Sequence, residues 1–369
     1  MSTGTRVVVG MSGGVDSSVA AYLLQQQGYE VIGVTLKVWS DSCVTRSQEK
    51  CCGPQSISDA RLVAHRLGIP HFVLDEAAAF EEEVIAPFIR EYRHGRTPNP
   101  CALCNEKMKF GRLPRKAKAW GAEYVATGHY ARIERDEQGG LCLKKARDER
   151  KDQSYFLFRL ERETLDRMLT PIGDYEKHEV RRIARQAGLS VWNKEESQGI
   201  CFVPGNQYDA FLTDRLGERT EAGGEIVDLS GKVLGFHRGI ESYTVGQRRG
   251  LPGGQGCPLY VVDIDPARRR IVVGPWEALD RTHCFLRDTS WQQSIPPGPL
   301  PVTVKVRYNY PAAPARLTLL ADRRARIDFE SPQAGVAPGQ AAVCYSDDLL
   351  LGGGWIERIE EGDRTEVEP

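Results

Sequence analysis

The fold is decided by the stretch Val7-Val8-Val9-Gly10-Met11-Ser12-Gly13-Gly14-Val15-Asp16-Ser17-Ser18. Its run of valines predicts a buried strand that ends at Gly10, and a turn of serine and glycine follows. Asp16-Ser17-Ser18 is suited to cap a helix that continues to Gly28. A strand, a glycine turn and a helix N-terminus bring unpaired backbone N–H groups and the positive end of the helix dipole to one point. The stretch therefore predicts an anion-binding loop, which glycine lets a phosphate approach closely.

Two familiar phosphate loops do not match this stretch. A Walker A loop requires a lysine directly after its glycines, and no lysine follows them here. The dinucleotide fingerprint requires a spacing that Gly10, Gly13 and Gly14 do not have. The string Ser12-Gly13-Gly14-Val15-Asp16-Ser17 instead resembles the pyrophosphate loop of the N-type ATP pyrophosphatases. That resemblance implies a loop that holds the β,γ-pyrophosphate of ATP while a substrate oxygen attacks the α-phosphorus. The simpler alternative is a glycine turn that binds no ligand.

The composition is that of an ordinary globular protein, with 369 residues, 41% hydrophobic and 27% charged, and a net charge of −1. This length predicts two or three domains. No apolar run approaches the roughly 20 residues of a membrane span, and no signal peptide is visible. We therefore expect a cytoplasmic protein without a membrane partner. Its ten cysteines are then expected to be thiols, metal ligands or catalytic groups rather than structural disulfides.

Apolar runs alternate with amphipathic segments through the first half of the chain. The predicted strands are 7–9, 31–38, 71–74 and 124–128, and the predicted helices are 56–67, 77–92, 161–169 and 176–187, with a polar loop over 40–55. This alternation indicates an α/β fold with a doubly wound, mostly parallel sheet. Ligands of such sheets bind beyond the carboxyl ends of the strands, so the chemistry is expected in the loops after Val9, Val38 and Thr127.

The second half is rich in glycine, proline and short alternating segments. The predicted strands there are 225–229, 259–264, 270–273, 302–308, 315–320, 325–329 and 341–345. Such a pattern is typical of small β domains or a barrel rather than of a continued parallel sheet. We expect a catalytic α/β domain over 1–205, a small central β domain over 206–280 and a β-barrel over 281–369.

A proline-rich loop with two cysteines is the second informative stretch. Thr97-Pro98-Asn99-Pro100 predicts a rigid, extended backbone, and Cys101-Ala102-Leu103-Cys104 leads into a helical segment interrupted at Pro114. Thiols at a helix N-terminus beside Lys107 and Lys109 are expected to have a lowered pKa. Three interpretations stay open for this pair: a nucleophile with a helper, two ligands of a metal or cluster, and an inert pair.

A third cysteine lies in Gly199-Ile200-Cys201-Phe202, and taken alone it is more often a buried hydrophobe than a reactive group. The stretches described so far and several others follow one another along the chain. They are Gly10–Ser17, Thr97–Pro100, Cys104-Asn105, Gly128-His129-Tyr130-Ala131-Arg132, Lys151-Asp152-Gln153-Ser154-Tyr155, Gly199–Phe202 and Gly246-Gln247-Arg248-Arg249-Gly250-Leu251. Together they resemble the tRNA-specific 2-thiouridylase family nearly from end to end.

The resemblance implies roles for individual residues. Cys104 matches the nucleophile, and Cys201 matches the cysteine that carries the transferable sulfur as a persulfide. The residues that would bind ATP are Gly10, Met11, Ser12, Gly13, Gly14, Val15, Asp16, Ser17, Leu36 and Gly128. The residues that would contact tRNA are Asn99, Pro100, Cys101, His129, Lys151, Asp152, Gln153, Arg307, Tyr308 and Gln340. The resemblance also implies Mg²⁺ with ATP, a sulfur-donor protein (a cysteine desulfurase or a sulfur-relay carrier) and a monomeric chain.

One departure from the family pattern concerns Cys101, where some members have an aspartate that serves as general acid or base toward the uridine. A thiol can do the same proton transfer if its pKa lies near the ambient pH. The cysteine also makes a third thiol beside Cys104 and Cys201, so that the three could hold an iron–sulfur cluster. Persulfide chemistry and cluster chemistry both stay open from the sequence.

The resemblance implies ATP-dependent 2-thiolation of the wobble uridine of tRNA. ATP would adenylate the uridine C2 oxygen, sulfur from Cys201 would replace it, and a transient Cys104–Cys201 disulfide would form. One alternative is another pyrophosphate-loop ligase or amidotransferase acting on a small molecule, which needs no paired thiols. A second is a tRNA-binding module with a degenerate ATP site.

Overall fold

The computed structural model describes residues 4–39, 53–136, 139–196, 199–203, 205, 207–216, 223–253 and 256–358. Residues 40–52 of the predicted loop over 40–55 lie outside the described residues. The chain divides into two compact units. The first comprises Met1–Ile85, Pro100–Asn206 and Asp348–Leu350, and the second comprises Ala86–Asn99, Gln207–Asp347 and Leu351–Pro369. Within the described residues, no helix combines the length and the apolar character needed to cross a membrane.

The first unit contains a parallel sheet and a hairpin. Its strands are β1 (Arg6–Gly10), β2 (Glu30–Lys37), β3 (His71–Asp75), β4 (Tyr124–Thr127), β5 (Ala131–Arg135), β6 (Leu141–Lys145) and β7 (Met168–Leu169). Five of them form the sheet in the order β3-β2-β1-β4-β7, and every pairing in it is parallel. β5 and β6 pair antiparallel. The valines of β1 are completely buried, as the continuous apolar run predicts for a central parallel strand.

The helices confirm most of the expected segments. They are α1 (Val15–Gln26), α2 (Pro54–Leu67), α3 (Ala77–Phe80), α4 (Ala86–Arg93), α5 (Pro100–Leu103), α6 (Leu113–Ala119), α7 (Arg162–Leu165), α8 (Lys177–Gln186) and α9 (Tyr208–Leu216). Two segments are wound as π-helix, Glu81–Ile85 and Cys104–Arg112. The first of them interrupts the helix predicted over 77–92. Pro114 occupies the first turn of α6, where a missing N–H costs nothing, so it does not break the helical path.

One predicted helix is wrong in its second half. The helix expected over 161–169 ends at Leu165, and Met168–Leu169 is instead the edge strand β7, paired with Val125 and Ala126 of β4. A strand of only two residues is too short to show periodicity in the sequence. Pairing with β4, rather than local sequence, therefore makes Met168–Leu169 a strand. Helix α9 and strands β5 and β6 were likewise not predicted.

The second unit holds two β structures. A four-stranded sheet is formed by β8 (Gly224–Val227), β9 (Val233–His237), β10 (Tyr260–Asp265) and β11 (Arg270–Gly274), in the order β10-β11-β8-β9. Six further strands are β12 (Arg281–Trp291), β13 (Leu300–Lys305), β14 (Ala313–Leu319), β15 (Ala325–Gln333), β16 (Ala341–Ser346) and β17 (Leu349–Ile356). They form an antiparallel barrel that the β12–β17 pairing closes. The predicted fold class, a parallel α/β sheet followed by β structure ending in a barrel, is therefore confirmed. The two boundaries between the three expected domains stay predictions.

Candidate active site

The phosphate loop, defined as Gly10–Ser17, connects β1 to α1 in the first unit. Gly14 is the N-cap residue with extended backbone angles, and the helix begins at Val15. The prediction that Asp16-Ser17-Ser18 caps the helix is wrong, because these residues lie inside its first turn. The Ser18 hydroxyl donates to the Gly14 carbonyl (2.8 Å) instead of accepting from a backbone N–H. The first N–H groups of α1 have no carbonyl one turn earlier in the helix, which leaves them directed toward an anion.

Glycine is required at two positions around the loop. Gly13 has φ +72°, and a Cβ there would lie 2.2 Å from the Ser56 carbonyl oxygen. At Gly128, directly after β4, a Cβ would lie 2.5 Å from the Ser17 nitrogen. The end of β4 therefore packs against the first turn of α1, and Gly128 lies against the phosphate loop. Leu36 lies near the carboxyl end of β2, the strand beside β1.

Hydrogen bonds hold the loop in one shape. The Met11 N–H donates to the Val34 carbonyl (2.7 Å), and the Thr35 hydroxyl donates to the Met11 carbonyl (2.7 Å). The Ser12 N–H donates to Ser17 Oγ (3.1 Å). The loop is thus rigid before any ligand binds, so a ligand need not spend binding free energy on ordering it.

Side chains that the sequence analysis did not assign surround Asp16. Lys177 Nζ lies 2.7 and 2.8 Å from the two Asp16 carboxylate oxygens, and the Tyr130 hydroxyl donates to Asp16 (2.9 Å). Burial, followed by the Asp16 charge, raises the pKa of Tyr130, so this hydroxyl stays protonated. Lys194 Nζ lies 3.0 Å from the Gly13 carbonyl oxygen. Tyr130 could have been identified from the sequence, because it belongs to the motif Gly128-His129-Tyr130-Ala131-Arg132. Lys177 and Lys194 lie in segments whose approach to the phosphate loop cannot be read from the sequence.

The thiol helix, defined as Pro100–Arg112, carries Cys101 and Cys104. Both side chains are half-buried, and neither belongs to a disulfide. The predicted lowering of the thiol pKa is wrong for Cys104: burial raises its pKa, and the charge of Lys109 only partly offsets this. The helix begins at Pro100, so Cys104 lies one turn inside it, where removal of water outweighs the helix N-terminus.

The π winding of the thiol helix decides which charge approaches Cys104. Because π-helical hydrogen bonds join residues five apart, Lys109 rather than Met108 lies one turn beyond Cys104. Lys109 Nζ also lies 3.5 Å from His129 Nε2, and His129 Nδ1 lies 2.7 Å from Thr127 Oγ1. An ammonium has no acceptor, so Nε2 accepts and the ring proton is on Nδ1. Burial, with the Lys109 charge, lowers the pKa of His129 well below its ordinary value, so the ring is neutral at pH 7.

Cys201 belongs to the same compact unit as the phosphate loop and the thiol helix. It is half-buried and not in a disulfide, and Phe202 beside it is buried against Phe80 with ring centroids 5.6 Å apart. Among the described residues, no three His, Cys, Asp or Glu side chains are arranged to hold a metal ion. The three-thiol cluster considered from the sequence is therefore not assembled here, and neither is a Cys104–Cys201 disulfide.

The tRNA-contacting positions predicted in the first unit differ in their surroundings. Lys151 Nζ pairs with Glu196 (2.7 Å). Asp152 is buried and accepts from the Ala146 and Ser154 N–H groups (both 3.1 Å), which makes it a turn-forming group. Gln153 Oε1 accepts from the Tyr130 N–H (3.0 Å), which ties this segment to the strand end beside His129.

The positions predicted in the second unit also differ from one another. Gln340 Nε2 lies 3.4 Å from the Pro98 carbonyl oxygen, and the Thr97 N–H donates to the Pro338 carbonyl (2.7 Å). The segment that leads into Asn99 is thereby held against the turn before β16. Arg307, in contrast, donates to the carbonyls of Gly335 (2.9 Å) and Val245 (2.6 Å), so its guanidinium has a structural role.

Tyr308, the residue after Arg307, has its ring 5.5 Å from Lys305 Nζ. This contact places a cation beside an aromatic ring. Such a pair suits stacking on an unstacked base.

Comparison with known proteins was made over the whole chain. Family models match three consecutive parts: a "tRNA methyl transferase HUP domain" at residues 5–205, a "tRNA methyl transferase PRC-barrel domain" at 209–275 and an "aminomethyltransferase beta-barrel domain" at 281–356. A tRNA-specific 2-thiouridylase of Acidithiobacillus ferrooxidans is 47% identical over 96% of this chain and 99% of its own length. One of Geobacter metallireducens is 48% identical, over 95% and 96%. One of Clostridioides difficile is 45% identical, over 96% and 98%.

Proposed function

Since the chain belongs to the tRNA-specific 2-thiouridylase family, we propose that it replaces the C2 oxygen of the wobble uridine of tRNA with sulfur at the expense of ATP. It is a tRNA sulfurtransferase by family. The observation that carries the finer proposal is the presence of three elements in one compact unit: a rigid phosphate loop, the Cys104 thiol and the Cys201 thiol.

The first step of the proposal is adenylation. The uridine C2 oxygen is a poor leaving group, so it attacks the α-phosphorus of ATP and pyrophosphate leaves. The phosphate loop would hold the departing β,γ-phosphates through the first N–H groups of α1. Leu36 and Gly128 would flank the adenosine.

In this step magnesium would bind together with the nucleotide, on its phosphates. The described residues contain no group of three His, Cys, Asp or Glu side chains that could hold a metal, and the Asp16 carboxylate is already paired with Lys177. Magnesium keeps much of its water shell and binds readily to substrate phosphates. When bound there it would neutralise charge on the phosphates.

The second step is sulfur transfer. The terminal sulfur of a Cys201 persulfide bonds to C2, and AMP leaves with the former C2 oxygen. The Cys104 thiolate then attacks the Cys201 sulfur and breaks the S–S bond, which leaves 2-thiouridine and a Cys104–Cys201 disulfide. An external thiol reductant restores both thiols, and a sulfur-donor protein reloads Cys201. We place Asn99, Pro100 and Cys101 at the target base, with Cys101 as its acid or base.

The test is reconstitution with ATP, Mg²⁺, a cysteine desulfurase with cysteine, and tRNA, with thiolated nucleosides read by mass spectrometry. Cys104→Ser and Cys201→Ser should each lower 2-thiouridine formation by about 10³-fold or more, because each removes a bond-forming sulfur. Cys257→Ser, at an exposed thiol of the other unit, is the matched control and should act as wild type. Unchanged thiolation in either active-site variant would refute the assigned roles.

Two further outcomes separate the alternatives. An iron-free, colourless protein with full activity supports the persulfide, whereas activity that follows bound iron supports the cluster. An ATP-consuming reaction on a small molecule that survives Cys104→Ser would identify a ligase or amidotransferase instead.

A further inference from the structure

A loop with two adjacent arginines lies between β9 and β10 of the second unit. This arginine loop is Gly246-Gln247-Arg248-Arg249-Gly250-Leu251. The side chains of Arg248 and Arg249 are both exposed. Neither guanidinium has an ion-pair or hydrogen-bond partner among the residues that the structure describes. The two positive charges are therefore available to a ligand.

Hydrogen bonds hold the arginine loop in a fixed shape. Gly246 has φ +86°, and its N–H donates to the Val261 carbonyl of β10 (2.7 Å). The Val261 N–H donates in turn to the Gln247 carbonyl (2.9 Å). The Gln247 side chain closes the turn, because its Oε1 accepts from the Thr244 N–H (3.1 Å) and its Nε2 donates to the Arg249 carbonyl (3.0 Å). An ordered turn, rather than a mobile one, thus carries the two exposed arginines.

Arg307 fastens the base of the arginine loop to the barrel side of the same unit. One guanidinium nitrogen donates to the carbonyl of Val245, the residue before Gly246 (2.6 Å), and Nε donates to the Gly335 carbonyl (2.9 Å). The guanidinium also lies 5.4 Å from the ring of Tyr310. Val245 itself is buried. The contacts of Arg307 are therefore those of a group that holds the loop in place.

The two segments that Arg307 joins have an excess of positive charge. Residues 242–262 contain two arginines and no acidic residue, and residues 289–321 contain three cations and no acidic residue. The second segment includes Tyr308, whose ring lies 5.5 Å from Lys305 Nζ. Because the chain as a whole has a net charge of −1, this excess is local, and it favours a negatively charged partner.

From these contacts, and resting on the proposed function, we infer that Arg248 and Arg249 bind phosphates of the tRNA backbone and that Arg307 positions their loop. The fork of a guanidinium matches the oxygens of a phosphate. RNA is favoured over an acidic protein because Lys305 and Tyr308 add a cation and an aromatic ring that suit a base. Phosphate contacts orient an RNA without reading its sequence, so the arginine loop holds the tRNA and does not select the target uridine.

The experiment measures tRNA binding by the full-length protein over a range of KCl concentrations. Each phosphate contact contributes about 0.7–0.9 to the slope of log Kd against log salt concentration. Arg248→Gln and Arg249→Gln should each weaken binding about three- to tenfold near 0.1 M KCl and lower that slope by about one. Because both side chains are exposed, thermal unfolding of the two variants should match wild type.

Arg268→Gln is the matched control. Arg268 is also an exposed arginine of the second unit, but it pairs with Asp265 (3.5 Å). Its variant should keep the affinity and the salt slope of wild type. In the thiolation assay the two loop variants should raise KM for tRNA and leave kcat unchanged, since neither arginine supplies a bond-forming atom.

Arg307→Gln separates a positioning role from direct contact with tRNA. If Arg307 acts through the loop, its loss should weaken tRNA binding, and combining it with Arg248→Gln should cost less than the sum of the two single effects. Gly246→Ala is a second test of loop shape, because it keeps every charge but strains the backbone at φ +86°. It should also weaken binding less than additively with Arg248→Gln. Full additivity in both combinations would overturn the positioning role.

The remaining outcomes distinguish this inference from the proposed function. If wild type binds and thiolates tRNA, and both loop variants keep its affinity and salt slope, this inference alone is overturned. Normal tRNA binding with a raised KM for the cysteine desulfurase would assign the two arginines to a protein partner and overturn the RNA assignment. If wild type binds no tRNA, the proposed function fails, and this inference fails with it.

Discussion

The phosphate loop and the thiol helix are two helix N-termini of one compact unit, and they use that position differently. In the loop the groups that we propose bind phosphate are backbone N–H donors, and the loop shape depends on Gly13 and on the packing of Gly128 against α1. In the thiol helix the proposed nucleophile is the Cys104 side chain, and burial raises its pKa while the charge of Lys109 lowers it by less. Backbone chemistry follows from the fold alone, whereas side-chain reactivity depends on the water that the surrounding residues exclude.

The largest effect should come from one methyl group in the phosphate loop. In Gly13→Ala the new Cβ would lie 2.2 Å from the Ser56 carbonyl oxygen at a positive φ, so the loop must move. We expect the free energy of unfolding to fall by about 3 kcal/mol or more, with loss of ATP–pyrophosphate exchange. Thermal unfolding and exchange of labelled pyrophosphate measure the two effects.

The matched control is Gly14→Ala, one residue on. Its Cβ would meet only Ser12 Oγ at 3.5 Å, an ordinary contact, and Gly14 lacks a positive φ. Its unfolding free energy should stay within about 1 kcal/mol of wild type. If the two variants unfolded at the same temperature, the positive φ of Gly13 and its close approach to Ser56 would not be what requires glycine there.

The second effect concerns the thiol helix and tests its π winding. Replacing Lys109 with Met removes the charge that the winding places one turn beyond Cys104, so the pKa of Cys104 should rise further, by about one unit. The thiolate fraction at pH 7.5 would then fall about tenfold, and alkylation of Cys104 would slow in proportion. In wild type the rate should keep rising with pH up to the raised pKa.

Lys107→Met is the control, because Lys107 has the same charge but pairs with Glu106 (2.8 Å) and lies off the five-residue repeat. Its Cys104 should be alkylated at the wild-type rate across the pH range. An equal slowing in both variants would mean that general charge, rather than π winding, sets the thiol pKa.

The contrast also explains what could be predicted from the sequence. The parallel sheet, the phosphate loop and the barrel were predicted because buried valines, glycines with fixed roles and alternating strands leave local patterns. The two-residue strand β7 leaves no such pattern, and neither does the approach of Lys177 and Lys194 over long sequence separations. The thiol pKa was predicted in the wrong direction because the burial of Cys104 comes from tertiary packing. Roles taken from family resemblance stay predictions, and the structural bonding of Asp152 and Arg307 makes those two the first to examine.

The smallest effect tests whether the network around Lys109 reaches back to β4. Thr127→Val removes the acceptor that holds the Nδ1 proton of His129, so the buried ring loses its fixed tautomer and its contact with Lys109 becomes variable. The free energy of unfolding should fall by about 1–3 kcal/mol, because a buried donor is left unpaired. Nitrogen chemical shifts of the ring should show the Nδ1–H form in wild type, without titration between pH 6 and 8, and a tautomer mixture in the variant.

Thr303→Val gives the matched measurement at the barrel, since Thr303 Oγ1 is buried without a partner among the described residues. At this position the same substitution should leave the free energy of unfolding unchanged or raise it slightly. The difference between the two variants isolates the contribution of the His129 hydrogen bond from that of the exchanged methyl group. Equal losses of stability would show that His129 does not depend on Thr127, and Lys109 would then reach Cys104 through the winding of the thiol helix alone.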